Sequence, residues 1–347
     1  MKLWKKNYDL NAEIEKFTVG NDFILDHKLV KYDCMASIAH AKMLFKIGVL
    51  SEGEKDNLIV ALKKIIELDN EDKFEIKQED EDCHTAIENY LVKEVGDVGK
   101  KIRTARSRND QVLTALRLYE KDELKKIVEL IGNLNEELLN NIEEFGDIGM
   151  PGYTHMQKAM PTTVKVWLES FVSSLEDDIS LIENVMELID QSPLGSAAGF
   201  GVPVFDVDND FIANKLGFEK VQENPMYCQM SRGKFESSIL NSLVQVMFSL
   251  NKLCSDIILF NMKEFGFVEL PDEFCTGSSI MPNKKNPDVL ELIRANYYVV
   301  LGEEFKIKSM IGNLISGYNR DMQLTKEPLM KSIDILNNCL EIMILVF

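Results

Sequence analysis

No proline occurs before residue 151, and the nine that follow lie between long stretches whose apolar residues recur every third or fourth position. Proline breaks a helix interior, because it lacks an N–H and clashes with the preceding turn. Its confinement to a few short segments leaves room for long helices. From Leu124 the apolar positions run Ile127, Ile131, Leu134, Leu138, Ile142 and Phe145. A second series is Trp167, Phe171, Leu175, Ile179, Ile182, Met186 and Ile189, and a third is Phe235, Ile239, Leu243, Val246, Leu250, Leu253 and Ile257. Each lays one stripe along a helix of roughly 25–35 residues, against a usual ~11–12, and the Met, Phe and Leu of these stripes read as core. Strand-like alternation is scarce. The fold class expected is all-α: a long central helical bundle over residues 107–347 and a smaller helical N-terminal domain over 1–106, where the helical pieces are shorter and more charged. The boundary falls near Thr104–Ser107. Ile333, Leu336, Leu340, Met343, Ile344 and Phe347 are still in helical period where the chain stops, with no Gly cap, which reads as a cut inside a helix.

Charge narrows the partners. There are 57 acidic against 39 basic side chains, a formal charge of −18, so the overall field opposes nucleic acid. A small anion can still bind where a few cations converge. The six cysteines contain no Cys-x-x-Cys pair and the four histidines no zinc spacing. Reduced thiols in the cytoplasm fit best, and no metal or organic cofactor is expected. Met1-Lys-Leu-Trp-Lys-Lys shows no apolar stretch after its charges, and no run approaches the ~18 apolar residues of a membrane helix. A soluble protein with no membrane partner is expected.

The chemistry concentrates in residues 277–288, Gly-Ser-Ser-Ile-Met-Pro-Asn-Lys-Lys-Asn-Pro-Asp. Gly-Ser-Ser gives a mobile opening with exposed hydroxyls, and Pro282 stiffens the middle. Lys284, Lys285 and Asn286 precede Pro287, which is well placed to start a helix. A hydroxyl, an ammonium and an amide at a helix's positive end make an anion site with a candidate base inside it. On physical grounds alone an ordinary surface loop is as good a reading. Four other segments hold polar clusters. In Glu81-Asp82-Cys83-His84, an acid-flanked His is most often a solvated helix face. In Thr104-Ala105-Arg106-Ser107-Arg108-Asn109-Asp110, two Arg before a long helix suit a carboxylate, though Asn and Asp there also serve as caps. Gly152-Tyr153-Thr154-His155 puts a His in a loop bounded by Pro151 and Pro161, where its ordinary pKa suits proton transfer. Tyr318 to Pro328 could be any charged helix start.

Read together, these segments resemble one family. GSSIMPNKKNP is similar to the characteristic loop of the fumarase/aspartase superfamily, and SRNDQV at 107–112 resembles the argininosuccinate lyases within it. The resemblance runs from Lys2-Leu3-Trp4 to about Lys326. It implies elimination of fumarate from argininosuccinate, without cofactor, in a homotetramer whose sites are shared by three subunits. It also implies roles. Ser278 is the base, Lys284 stabilises the carbanion, and His155, oriented by Glu291, protonates the leaving nitrogen. His84, Ser107, Arg108, Asn109, Thr154, Asn286, Tyr318, Gln323 and Lys326 bind substrate. The run Ser192–Pro203 resembles the family's Pro-Leu-Gly loop. Three departures stand out: Gly233-Lys234-Phe235 replaces the usual Arg-Asp-Phe, Arg320 replaces a Lys, and the N-terminal binding serine is absent around Val19–Asp22. They bear on the contacts to the arginine portion. Family subunits continue into a further small helical domain. The rival readings are a sister lyase acting on adenylosuccinate, aspartate or malate, a crystallin-like protein without activity, and an inactive fragment.

Overall fold

The structure, a computed structural model, describes residues 11–281 and 283–347. Lys2-Leu3-Trp4 and Pro282 lie outside the described residues. Helices dominate: α1 (Ala12–Val19), α2 (Asp22–Leu25), α3 (Val30–Lys46), α4 (Glu52–Asn70), α5 (Cys83–Val95), α6 (Arg108–Phe145), α7 (Val164–Ile189), α8 (Asn209–Leu216), α9 (Pro225–Met230), α10 (Lys234–Phe260), α11 (Asp288–Ile311) and α12 (Lys326–Val346). The three apolar series fall on α6, α7 and α10, as an all-α reading requires. Strands are few: an antiparallel hairpin of β1 (Gly149–Thr154) and β2 (Gln157–Thr163), and a parallel pair of two-residue strands, β3 (Gln191–Ser192) and β4 (Lys220–Val221).

The chain divides into two compact units. The first holds the described residues up to Asp122, together with Leu188–Lys234 and Asn313–Lys326; the boundary expected near Thr104–Ser107 falls inside it. Its core is α3 against α4 and α5, where Leu44, Leu58, Leu62, Ile65 and Leu91 have no exposed surface. α4 starts at a capping box, with Ser51 Oγ accepting from Glu54 N and the Glu54 carboxylate accepting from Ser51 N, so two orphan donors of the first turn are satisfied.

The second unit comprises Glu123–Glu187, Phe235–Gly312 and Glu327–Phe347. Here the rest of α6 and helices α7, α10, α11 and α12 form the bundle. α10 is bonded to three of its neighbours. Trp167 Nε1 donates to Asp256 at 2.9 Å from α7, Asn251 donates to the Arg294 carbonyl of α11 at 2.8 Å, and Cys254 Sγ lies 3.6 Å from Met343 Sδ of α12. α10 is also long and apolar enough, by length and composition, to cross a membrane, contrary to the expectation that no such run exists. Its buried positions include Glu236, Ser237, Ser242 and Ser249 besides the apolar stripe, which is the pattern of a core helix.

The hairpin departs from the loop that its Pro- and Gly-rich sequence suggests. Its tip is a two-residue turn with His155 and Met156 at φ +53° and +58°, whose twist matches that of paired strands. The register slips between Pro151 and Tyr153. At that bulge a Cβ on Gly152 would come within 2.7 Å of the Met160 carbonyl oxygen, so only glycine fits.

Candidate active site

In the first unit a cavity of about 120 Å³ opens between α1, the start of α6, the segment before α10 and the 318–326 turn. Six of its lining residues are ones that the sequence singles out: Arg108, Asn109, Tyr318, Arg320, Gln323 and Lys326. Local bonding holds several of them. Asp82 caps α5, accepting from Thr85 N at 2.8 Å, and its other oxygen lies 3.1 Å from Arg108 Nη1. Thr85 Oγ1 accepts from Arg108 Nη2 at 2.7 Å. The helix cap and the guanidinium are therefore fixed by the same two side chains.

The turn before α6 is bound from beneath. His40, fully buried, donates from Nε2 to the Thr104 carbonyl at 2.9 Å; burial first, and Arg106 second, push its pKa down to about 3, so it stays neutral. Asp110 has no exposed surface, and its carboxylate accepts from the N–H groups of Ser107 (3.0 Å), Gly195 (3.0 Å) and Ala197 (2.9 Å). It thus ties the Ser107-Arg108-Asn109 turn to the Gly-rich run, where Gly195 (φ +103°) and Ala197 (φ +51°) point their amides inward. Burial outweighs those three donors and raises its pKa to about 6.

Lys326 is 2% exposed and lies 2.8 Å from Asp22 and 2.7 Å from Asp26. Burial would lower its pKa, but the Asp26 and Asp22 carboxylates overrule burial and hold it above the usual lysine value. Arg320 and Gln323 donate to the Thr18 carbonyl at 2.8 and 3.3 Å, so backbone at 18–19 stands near where the resemblance would place a binding serine. Asp22, Asp26 and Arg232 also line this cavity, and sequence reasoning did not single them out. No spacing signal marks them, since two of them meet a lysine some 300 positions away.

His84 does not line the cavity. It has no exposed surface, and its Nδ1 lies 3.1 Å from Asp33. Burial would keep it neutral, yet the Asp33 carboxylate overrules burial and raises its pKa. His84 thus supports α5 from within, while the flanking Asp82 and its partner Arg108 line the cavity. Ser107 likewise acts through its backbone N–H and its Oγ, which accepts from Asn109 N at 3.3 Å.

The second unit carries the other expected groups. Thr276 and Asn286 exchange backbone hydrogen bonds at 3.0 and 2.9 Å, closing residues 276–286 into a loop at its neck. Thr276 Oγ1 also bonds to Asp288, and Lys285 pairs with Asp272. Lys285 is thus an anchor, whereas the exposed Lys284 ammonium has no ion pair among the described residues. Ser278 Oγ accepts from the N–H groups of Ile280 and Met281, both at 3.3 Å. Glu291 sits in the first turn of α11, directly after this loop. His155 and Thr154 are exposed at the hairpin tip. Among the described residues of one chain no hydrogen bond joins His155 to Glu291, which the resemblance implies orients it.

Comparison with known proteins gives this pattern its family. A family model described as a lyase matches residues 11–302. The argininosuccinate lyase of Thermotoga neapolitana is 54% identical over 346 residues, covering 100% of this chain and 87% of that one. The chain belongs to the argininosuccinate lyase family. The argininosuccinate lyase of Sorangium cellulosum is 44% identical over 334 residues, covering 96% of this chain and 77% of its own. Among solved structures, a fumarate lyase/delta crystallin from Brucella melitensis bound to cobalt superposes with a TM-score of 0.82 at 20% identity over 98% of this chain and 77% of that one. A class II fumarase from Schistosoma mansoni gives 0.81 at 19% over 94% and 78%. At these identities the two structures speak for the fold alone.

Proposed function

We propose that the protein cleaves argininosuccinate to arginine and fumarate in arginine biosynthesis, in the cytoplasm, by elimination across a carbon–carbon bond. A proton leaves the carbon beside a succinyl carboxylate, the electron pair forms the double bond, and the guanidino nitrogen departs with a proton. The carbanion places two negative charges on one carboxyl group. A positioned acid or base supplies only ~10²–10⁴ in rate, so charge stabilisation must supply the rest.

The observation that carries this reading is the environment of Ser278. A serine is a weak base unless its alkoxide is stabilised, and Oγ already accepts two backbone N–H groups of its own loop. Lys284, six residues on and without an ion pair among the described residues, is the cation for the doubly charged carboxylate, with Asn286 and the start of α11 adding donors. His155 is the group proposed to protonate the leaving nitrogen. Its exposure at a hairpin tip suits delivery to a site completed by another copy, where a carboxylate such as Glu291 can orient it. Arg108, Asn109, Tyr318, Gln323 and Lys326 bind substrate in the first-unit cavity, and Thr154 joins from the hairpin. At about 120 Å³ that cavity is below the ~300 Å³ of the smallest usual ligand clefts, so it holds one end of the substrate. A homotetramer with sites shared by three subunits supplies the remaining walls.

A panel of argininosuccinate, adenylosuccinate, aspartate and malate tests the reading, with fumarate absorbance as readout. Argininosuccinate alone should release fumarate, with arginine in equal amount, and Ser278→Ala should slow it by about 10³-fold or more. Release from adenylosuccinate but not argininosuccinate would refute it.

A further inference from the structure

Four cations line the first-unit cavity, and three of them are engaged. Lys326 has Asp22 and Asp26, Arg108 has Asp82 and Thr85, and Arg320 donates to the Thr18 carbonyl. Arg232 is different. It is 3% exposed, its Nε has no hydrogen-bond partner, and no carboxylate pairs with it among the described residues. Its guanidinium carbon rests 5.3 Å from the centre of the Tyr318 ring. A guanidinium carries five donors in a planar fork, and burying it without an acceptor is costly unless an anion arrives.

The sequence around it explains its position. Gly233, at φ +77°, turns the chain just before α10 begins at Lys234, which leaves Arg232 on the cavity wall. This is also where the chain departs from the Arg-Asp-Phe of the resemblance, so the arginine here occupies a different position in the chain.

We propose that Arg232 is a specificity-determining residue that binds the α-carboxylate at the arginine end of the substrate. The inference rests on the argininosuccinate reading and extends it to one contact. Tyr318, against which Arg232 packs, and Gln323 and Lys326 line the same cavity, and the cavity has room for one end of the substrate only. The groups suited to the succinyl carboxylates, Ser278 and Lys284, belong to the second unit. A guanidinium resting against an aromatic ring keeps its N–H fork for a bidentate carboxylate.

The probes are L-arginine and agmatine, which is arginine without its α-carboxylate, titrated calorimetrically into the intact protein. The wild type should bind arginine on the order of 10- to 100-fold more tightly than agmatine, the range for a charged hydrogen-bonded contact. Arg232→Met should bring that ratio near one while leaving agmatine affinity unchanged. Arg232→Lys, which keeps the charge but not the fork, should lower the ratio severalfold, and it decides the matter if the Met variant does not fold. Equal affinity of the wild type for both ligands, or an unchanged ratio in the Lys variant, overturns the assignment. Fumarate release from argininosuccinate by the wild type is the separate control. Its absence sinks the lyase reading, whereas its presence with an unchanged ratio sinks only the role of Arg232.

Discussion

Lys326, 2% exposed, is clamped by two carboxylates, with Asp22 at 2.8 Å and Asp26 at 2.7 Å. Removing the ammonium strands both acids, and losing one partner of a buried ion pair costs roughly 3–5 kcal/mol. Lys326→Met should therefore lower the unfolding free energy by that amount, seen as a lower urea midpoint with an unchanged slope. The pH dependence follows from the direction in which the lysine pKa moves. A lysine pKa raised on folding stabilises fully below the unfolded value of 10.5 and fades only as pH rises above it. The variant's deficit should thus be constant from pH 6 to 9. Lys326 itself could be singled out from sequence through family resemblance, but its two acids could not. Asp22 and Asp26 look like any acidic residues near a helix start, and only the folded chain brings them to position 326. His84 shows the converse. Flanking acids suggest an exposed or substrate-facing histidine, yet the decisive neighbour is Asp33, far earlier in the chain and wholly buried.

Helices α7 and α10 meet through a polar chain inside the bundle: Ser249 Oγ donates to Asp178 at 2.7 Å and lies 2.9 Å from Ser174 Oγ. Asp178 is 5% exposed and has no cation beside it among the described residues, so burial raises its pKa to about 6 from 3.8, with Asp177 adding to the rise. A carboxyl whose folded pKa lies above its unfolded one stabilises most when protonated. That contribution is complete below about pH 4 and is lost as pH rises through about 6, with ~1.4 kcal/mol lost for every tenfold drop in proton concentration between the two values. Asp178→Asn keeps an acceptor for Ser249 without the charge. We expect it to raise unfolding free energy by up to about 3 kcal/mol at pH 8 and to leave it nearly unchanged at pH 4. Denaturation at the two pH values checks this, and a loss of stability at pH 8 would show that the charge has a partner. The helices were legible because a 3.6-residue period persists over many turns. The hairpin was not, since Pro151, Gly152 and Pro161 read as loop, and pairing there depends on a bulge that only Gly152 permits.

At the scale of the whole molecule, most of the proposed binding groups belong to the first unit, whereas the proposed elimination groups, with Thr154, belong to the second. Arg108, Asn109, Tyr318, Gln323 and Lys326 line a cavity formed wholly by first-unit residues, while Ser278, Lys284, Asn286 and His155 are second-unit residues. The proposed tetramer joins a cavity from one copy to a Ser278 loop from another. Family resemblance supplied that arrangement; periodicity and spacing in one chain carry no trace of it, because the contacts are between chains. Light scattering should accordingly give four times the 39.6 kDa of one chain. The sharpest measurement mixes two dead enzymes, Arg108→Ala and Ser278→Ala, after mild dissociation and reassembly, and follows fumarate released from argininosuccinate. If sites are shared between copies, hybrids contain some sites with both residues intact, and activity absent from either parent should return. If reassembled hybrids stay inactive, each site is built within a single chain and the account of a shared lyase centre is contradicted.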